Sequence, residues 1–371
     1  MRLTELNGFT FPVPFKVVFR HAAASRRQAE NFVVCATTHT GVQGIGEGCP
    51  RSYVSGEDVE SSNRFLKQHQ ASLVNSIMDL ASLQEWILNH KSEIDDNPSA
   101  FCAIEMAILD ALGREETTCI ESLLDISPKQ EVVRYSAVLG DAPFAAYWWL
   151  LRRYIRHGFT DFKVKLSGNR KSDLGKLQEL TKIGLDSRHV RLDANNLWSA
   201  SDDCIEYLSS LPQLYWGLEE PLQPRDFAGM RKIGTALRIK QILDESCTNV
   251  EDLENLCGSP WVLNLRVSRA GGILRAIEVA RIARKQGIGI ILGAHVGETS
   301  LLTRGTLAVL QFLKNEQIAC EGAFGRHLLT SDLSREVIQF DQNAQIELQQ
   351  LRLLQLPGTG LTIEQSKLKA L

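Results

Sequence analysis

The stretch 190–193 reads Val190-Arg191-Leu192-Asp193 and is the first of three short segments that end in a carboxylate. The other two are Tyr215-Trp216-Gly217-Leu218-Glu219 and Gln241-Ile242-Leu243-Asp244. The three acids follow one another at intervals of 26 and 25 residues, which is the length of one strand, one helix and two turns. The segments therefore predict consecutive βα units, whose acids meet at one rim if the sheet is a parallel barrel.

Three carboxylates that converge in one place repel one another, and a hard divalent cation removes that repulsion. We therefore predict that Asp193, Glu219 and Asp244 bind Mg²⁺, with Mn²⁺ as a substitute. The alternative is three solvated acids at strand ends, and their matching positions favour the metal. Glu220 and Glu245 follow two of these acids directly and either support the site by hydrogen bonds or are solvated.

A lysine pair precedes the first acid. Lys163 and Lys165 lie on alternate positions of the segment Phe162-Lys163-Val164-Lys165 and so point to the same face of a strand. A partly desolvated lysine beside other positive charges loses its proton more readily, so Lys165 is the candidate acid/base group. Lys163 supplies such a charge or contacts a substrate carboxylate. The alternative is a pair of solvent-facing strand lysines.

The 371 residues fit a barrel of about 250 residues with a smaller second domain. Residues 1 to about 68 are typical of a β-meander and residues 59–115 of helices. After residue 129, strand patterns alternate with helical ones, which favours an α/β fold with a (β/α)8 barrel. The predicted barrel strands are 132–139, 161–166, 189–194, 214–219, 239–244, 261–266, 288–293 and 317–321. The predicted domains are residues 1–125, 126–345 and 346–371, and the last of these returns to the first.

Composition excludes several classes of protein. The formal net charge of −3 and the pI near 6.3 give no sign of a nucleic-acid or membrane partner. No run of about 18 apolar residues occurs, so we expect no transmembrane helix, and the N-terminus lacks an apolar signal core. The eight cysteines are scattered without metal-binding spacing, which indicates buried thiols in a cytoplasmic protein.

Further polar residues end the predicted strands, where barrels of this kind carry their chemistry. They are Asn195, a candidate substrate-binding residue, and the candidate catalytic residues Arg266, His295 and Glu321. Glu321 is a candidate for a hydrogen bond to a substrate oxygen, with a solvated acid as the alternative. Arg20, Arg51 and Arg266 indicate an anionic substrate, although each of them also suits a surface or a salt-bridged position.

The chain resembles the enolase superfamily, in the branch of muconate-lactonizing enzyme and mandelate racemase. The resemblance covers nearly the whole chain. It rests on the motifs Gly44-Ile45-Gly46-Glu47-Gly48, Ala103-Ile104-Glu105-Met106-Ala107, Lys163-Val164-Lys165, Asp193-Ala194-Asn195, Glu219-Glu220-Pro221, Asp244-Glu245-Ser246 and Arg269-Ala270-Gly271-Gly272.

This resemblance implies a modified (β/α)8 barrel beneath an N-terminal α+β capping domain. It implies that Mg²⁺, held by the three acids, stabilises an enediolate formed when a lysine or histidine removes a proton α to a carboxylate. It also implies that loops of the capping domain select the substrate, here a small carboxylic acid. The residues concerned lie in Phe19-Arg20-His21 and in Arg51-Ser52-Tyr53. Homo-oligomers are common in the family, and the sequence leaves the assembly open.

The sixth predicted strand departs from the family's pattern. Members of the lactonizing type carry a second catalytic lysine there, whereas this chain has Arg266, which stays protonated and is a poor proton acceptor. Racemases of the mandelate type pair a sixth-strand aspartate with a seventh-strand histidine. His295 takes the histidine position, but it lacks the aspartate. It is therefore either a catalytic residue or a polar residue of a strand-end loop that contacts substrate or backbone.

We therefore predict a one-base lyase, dehydratase or cycloisomerase that uses Lys165 both as base and as acid. One alternative is a racemase or epimerase of an acid or dipeptide, in which Lys165 and His295 serve opposite faces of the α-carbon. The other is a catalytically inactive barrel that binds a metal or a ligand. The lysine pair argues against the second alternative, because an inactive site does not need two like charges side by side.

Overall fold

The computed structural model describes residues 1–21, 24–52, 54–254, 256, 258 and 260–371, without the side chains of residues 18–21, 24, 25 and 254. The N-terminal part begins with long strands and continues with helices. Its elements are β1 (Leu3–His21), β2 (Ala24–Thr38), β3 (Gln43–Gly48), α1 (Val59–Ser76), α2 (Leu80–Asn89), α3 (Lys91–Asp96), α4 (Pro98–Glu115) and α5 (Ile120–Leu123).

The predicted β-meander is present but shorter than expected. β1 pairs antiparallel with β2, and β2 pairs antiparallel with β3. The meander ends at Gly48 rather than near residue 68, because α1 already begins at Val59. Asp58 starts this helix as a capping box, in which its side chain accepts a hydrogen bond from the backbone N–H of Ser61 at 2.7 Å.

The second part alternates strands with helices. Its elements are β4 (Val132–Arg134), β5 (Ala137–Leu139), α6 (Phe144–Arg156), β6 (Phe162–Lys165), α7 (Arg170–Lys182), β7 (Val190–Asp193), α8 (Ser201–Ser209), β8 (Gly217–Glu219), α9 (Phe227–Leu237), β9 (Lys240–Leu243), α10 (Val250–Glu254), β10 (Trp261–Leu265), α11 (Val267–Ala270), α12 (Ile273–Lys285), β11 (Gly289–Leu292), α13 (Ser300–Leu313) and β12 (Ala319–Cys320). The chain ends with β13 (Gln345–Glu347), α14 (Leu348–Leu351) and β14 (Lys369–Ala370).

Within the described residues, the strands from β5 to β12 form one eight-stranded parallel sheet in sequential order. The N–H of Ser136 donates to the carbonyl of Cys320 at 2.7 Å and joins the two edges of this sheet. The fold is therefore the predicted α/β barrel with an α+β cap. The predicted first strand, 132–139, is divided, because β4 pairs antiparallel with β13 and only β5 enters the barrel.

The C-terminal residues lie against the N-terminal part. β14 pairs antiparallel with β1, and the N–H and hydroxyl of Thr359 donate to Oδ1 of Asp110 in α4 at 2.7 and 3.0 Å. The limits of the domains, at residues 125 and 345, stay a prediction. None of the described helices has the length and apolar character needed to cross a membrane. Seven cysteines lie in the described part of the chain, and all are buried free thiols.

Two carboxylates of the cap accept hydrogen bonds at the N-termini of barrel helices. Glu105 of α4 accepts from the backbone N–H groups of Ile273 and Leu274 at 2.6 and 2.8 Å, at the start of α12. Glu47 of β3 accepts from the N–H groups of Thr299 and Leu302 at 3.0 and 2.9 Å, at the start of α13. Helix N-termini carry unpaired N–H groups, so these acids join the cap to the barrel.

We predict that Gly272→Ala destabilises this junction more than an ordinary glycine replacement. Gly272 has φ +115°, and a Cβ there would overlap the carboxylate of Glu105. Gly287 is the matched control, since it has φ +70° but open space around a Cβ. Urea unfolding should show a loss of about 1–2 kcal/mol for Gly287→Ala and of at least about 3 kcal/mol for Gly272→Ala. Equal losses would contradict a tight junction.

We also predict a pH dependence from Glu105, because burial raises the pKa of this carboxyl from 4.5 to about 8. The folded protein then keeps a proton that the unfolded chain releases, so the free energy of unfolding falls as the pH rises from about 5 to 8. Glu105→Gln should remove up to about 1.4 kcal/mol of this fall per pH unit. Unfolding at several pH values tests this, with the exposed Glu85→Gln as a control that should leave the pH dependence unchanged.

Candidate active site

The acids of adjacent strands lie level at the carboxyl end of the barrel. In the parallel register, Lys165 of β6 is the partner of Asp193 in β7, and Asp193 is the partner of Glu219 in β8. Asp244 follows the last residue of β9 directly. The structure therefore brings Lys165 and the three predicted metal ligands to one rim, as their spacing in the sequence implies.

Lys163 lies deep between the acids. Its side chain is only 4% exposed, and Nζ lies 2.6 Å from Oε1 of Glu219 and 3.4 Å from a carboxylate oxygen of both Asp193 and Glu321. Burial works against the charge, but Glu219, Glu321 and Asp193 raise the pKa of this lysine. Lys163 is thus a permanent internal cation, and its contacts are with protein carboxylates.

Lys165 occupies the more open position of the pair. Its side chain is 23% exposed, and Nζ lies 3.4 Å from Oδ2 of Asp193. Nζ also donates to Oδ1 of Asn195 at 2.9 Å. Asn195 therefore orients the lysine beside the acids, while part of the side chain remains exposed.

Asp244 is held by two arginines. Oδ2 accepts from NH2 of Arg266 at 2.5 Å, and Oδ1 accepts from NH1 of Arg269 at 2.6 Å. Burial opposes ionisation, but the charges of Arg266 and Arg269 lower the pKa of Asp244, which is therefore a carboxylate. Glu220 supports the same loop, because its side chain accepts from the N–H groups of Asp244 and Ser246 at 2.6 and 2.8 Å.

One side-chain oxygen of Glu219 is left for a ligand by the described residues. Oε1 contacts Lys163 and accepts from Nδ2 of Asn264 at 3.2 Å, whereas Oε2 is buried without a hydrogen-bond partner among the described residues. Burial raises the pKa of Glu219 to about 8. A buried oxygen without a partner calls for an ion or water. Together with Asp193 and Asp244 it makes a set of hard oxygen donors, which fits Mg²⁺.

Glu321 is bound from below by Arg191, which the sequence analysis did not single out. NH2 of Arg191 donates to Oε1 of Glu321 at 2.9 Å. Burial opposes ionisation, but Lys163 and Arg191 lower the pKa of Glu321 to about 2. The alternation of Arg191 with Asp193 in one strand could have revealed this residue, just as it revealed the lysine pair.

His295 lies in the loop after β11. The residue is 4% exposed, and its backbone N–H donates to Oε2 of Glu298 at 3.1 Å. Burial lowers the pKa of the imidazole well below its usual value, and the charges of Arg266, Arg269 and Arg51 act in the same direction. The ring is therefore neutral at physiological pH.

Two family models match the chain. One is described as the mandelate racemase / muconate lactonizing enzyme N-terminal domain and matches residues 7–125. The other is described as enolase C-terminal domain-like and matches residues 149–367, more than half of the chain. The chain belongs to the enolase superfamily. It is an enzyme of the mandelate racemase and muconate lactonizing enzyme branch, so the resemblance seen in the motifs is confirmed.

Similar members of the superfamily are isomerases by name. A hydrophobic dipeptide epimerase from Enterococcus faecalis (strain ATCC 700802 / V583) is 23% identical over 310 residues, which cover 81% of this chain and 84% of the relative. An N-succinyl-L-Arg/Lys racemase from Bacillus cereus (strain ATCC 14579) is 24% identical over 386 residues, with 100% of this chain and 98% of the relative covered.

Solved structures of the superfamily share the fold. The muconate lactonizing enzyme from Pseudomonas fluorescens, complexed with muconolactone, has a TM-score of 0.85 at 21% identity and covers 99% of this chain and 98% of its own. The dipeptide epimerase from Enterococcus faecalis, complexed with Mg and the dipeptide L-Leu-L-Tyr, has a TM-score of 0.82 at 20% identity. The match covers 98% of this chain and 100% of the epimerase chain.

The substrate-binding residues predicted in the superfamily's cap are only partly described. The side chain of Arg20 and the whole of Tyr53 lie outside the described residues. Arg51 is 2% exposed, and its guanidinium donates to the carbonyls of Glu30 and Val296 at 2.9 and 3.0 Å. In the structure Arg51 thus ties the cap to the loop that carries His295.

We predict that Lys163→Met strongly destabilises the protein in the absence of divalent cations. The change removes the ammonium that contacts three carboxylates, and breaking such a buried ion pair costs about 3–5 kcal/mol. Lys182→Met is the matched control, because Lys182 is 68% exposed and its ion pair is with Glu179 on its own helix. It should alter the free energy of unfolding by no more than about 0.5 kcal/mol. Similar urea midpoints for both variants would contradict the prediction.

Proposed function

We propose that this enzyme removes the proton α to the carboxylate of a small acid, with Lys165 as the only base. The observation that carries the proposal is the placement of Lys165 and Arg266. β6 and β10 are four places apart in the order of the eight described barrel strands, and Arg266 directly follows β10. The two cations therefore belong to opposite sides of the mouth, so a substrate between them meets a lysine on one face and a guanidinium on the other.

Arg266 suits an anchor better than a base. The carboxylate of Asp244, with Glu321 and Glu219 nearby, raises the pKa of Arg266 against the effect of burial. The Nε of Arg266 is buried without a hydrogen-bond partner among the described residues. A protonated guanidinium with a free N–H is suited to hold a substrate carboxylate, and it accepts no proton.

One base is sufficient for an elimination or a cycloisomerisation on a single face of the substrate. In an elimination, Lys165 takes the α-proton on Nζ and gives it to the departing oxygen on the same face. In a cycloisomerisation, ring closure leaves an enediolate, and the protonated Nζ of Lys165 gives its proton to the α-carbon and is reprotonated from solvent. Asn195 orients Nζ for both transfers, since it accepts a hydrogen bond from it. The overall reaction we propose is accordingly that of a lyase, a dehydratase or a cycloisomerase.

Mg²⁺ is the proposed cofactor, with Mn²⁺ as a substitute, and Asp193, Glu219 and Asp244 are the proposed ligands. When bound, the cation would neutralise the charge that develops on the substrate carboxylate as the α-proton leaves. Lys163 contacts Asp193 and Glu219 through Nζ and so holds two of these ligands in place. A cytoplasmic location and a homo-oligomeric assembly are further parts of this proposal.

A second candidate function is epimerisation with Lys165 and His295 as the two bases. Its support is the buried, neutral imidazole of His295 in the loop after β11, together with relatives that are named epimerases and racemases. The substrate would then be an acid or dipeptide with a chiral α-carbon. In this case His295 serves as the second base, a role that Arg266 after the sixth barrel strand cannot fill.

Exchange of substrate protons in D₂O distinguishes these functions. We expect Mg²⁺-dependent exchange, followed by NMR, for at least one member of a library of dicarboxylates, acid sugars, N-acylamino acids and dipeptides. Lys165→Ala should lower the exchange rate by about 10²–10⁴-fold, while the exposed Lys182→Ala should not change it. In the one-base reaction, exchange proceeds without inversion of a chiral acid, and Arg266→Lys introduces a second base that permits inversion.

Two outcomes would overturn the one-base proposal. Inversion by the wild type at the rate of exchange, lost in His295→Asn, would establish the epimerase. Absence of exchange with every acid, together with ligand binding that Lys165→Ala leaves intact, would indicate an inactive binding barrel.

A further inference from the structure

We propose that the cap holds a second metal site, formed by His69, His90 and Glu93 and suited to a divalent transition ion such as Zn²⁺. Each residue offers one ligand atom, and the three atoms lie within 4.8 Å of one another. His69 is on α1, His90 lies between α2 and α3, and Glu93 is on α3. All three are outside the barrel mouth, so this site is separate from the proposed Mg²⁺ site.

His69 presents a buried nitrogen that the described residues leave without a hydrogen bond. Its side chain is 9% exposed, and Nε2 has no hydrogen-bond partner among the described residues. The nearest carboxylate oxygen, Oε2 of Glu93, lies 3.2 Å away but outside hydrogen-bond geometry. Two ligand atoms on a tetrahedral Zn²⁺ are about 3.3 Å apart, given metal–ligand bonds of about 2.0–2.1 Å. The separation therefore fits two ligands of one ion.

His90 is already oriented as metal ligands usually are. Its Nδ1 lies 2.9 Å from the carbonyl oxygen of Trp86, which can only accept, so Nδ1 carries the proton. The lone pair of the neutral ring is then on Nε2. A second hydrogen bond of this kind fixes the tautomer and the ring plane of ligating histidines. The ring also stacks on Trp86, with centroids 3.9 Å apart and planes at 8°.

The donor set selects the class of ion. Two imidazole nitrogens and one carboxylate are typical of Zn²⁺, Co²⁺ and related ions, whereas Mg²⁺ and Ca²⁺ prefer oxygen. The side chain of Glu93 is half-exposed at 50%, so water can supply a fourth ligand. The three proposed ligands at the barrel mouth are all carboxylates, so that site prefers Mg²⁺ to a transition ion.

The ion would link α1 to α3 within the cap and, through α3, would link α1 to the barrel. Asp95 of α3 forms an ion pair with Arg275 of α12, and Lys91 lies 3.7 Å from Glu278 of the same helix. A metal held by α1 and α3 therefore links α1 to a helix that is already attached to the barrel. We expect a stabilising role, without a part in proton transfer.

Absorption of Co²⁺ bound to the full-length protein tests the site. The background carries Glu219→Gln and contains excess Mg²⁺, so that the barrel does not compete. We expect one Co²⁺ per chain with the intense visible bands of a tetrahedral ion, displaced by Zn²⁺. Glu93→Gln and His90→Ala should each weaken binding by at least about tenfold. His189→Ala and Glu85→Gln, at exposed positions, are the matched controls and should bind as the background does.

Thermal unfolding supplies an independent readout. Zn²⁺ should raise the Tm of the background protein and of both controls, but not that of Glu93→Gln, because only an intact site binds the ion in the folded state. Glu93 is half-exposed, so its replacement leaves the core of the cap in place even if His90→Ala fails to fold. Absence of Co²⁺ binding, an octahedral spectrum, or binding that survives Glu93→Gln would overturn the proposal.

Discussion

The ammonium of Lys163 is the contact on which the barrel mouth depends. It touches the carboxylates of two strand residues, Asp193 and Glu219, and of Glu321, which directly follows β12, in a buried site where unpaired charges would be very costly. Further cations balance the remaining charge from the sides, so that four acids share one rim. They are Arg191 beneath Glu321, and Arg266 and Arg269 around Asp244. Among the described residues, this balance leaves one oxygen of Glu219 without a hydrogen-bond partner, and there a divalent cation fits.

The cap is joined to this site by the same kind of interaction. The side chains of the cap residues Glu105 and Glu47 accept hydrogen bonds at the N-termini of α12 and α13. Arg51, also in the cap, donates to the carbonyl of Val296 beside His295. The loops that follow β10 and β11 are therefore held by the cap as well as by the barrel.

Arg266 connects the structure to the proposed chemistry. Its pairing with Asp244 fixes a guanidinium on the side of the mouth opposite Lys165, and a guanidinium binds an anion but does not exchange protons. The relatives named as racemases and epimerases share the fold and the family with this chain. The one-base and two-base proposals therefore differ in one point, which is whether the neutral ring of His295 acts as the second base in place of a base on the sixth barrel strand.

The sequence by itself determined the order of the strands, the rim that carries the acids and the common face of Lys163 and Lys165, because strand alternation and βα spacing are local patterns. Only the tertiary structure decided how deep each group lies and what it contacts. Lys163 meets Glu321, which is 158 residues away, and Nε2 of His69 on α1 lies 3.2 Å from Oε2 of Glu93 on α3. Burial and ion pairing depend on neighbours that the fold brings together from distant segments, and no local pattern contains them.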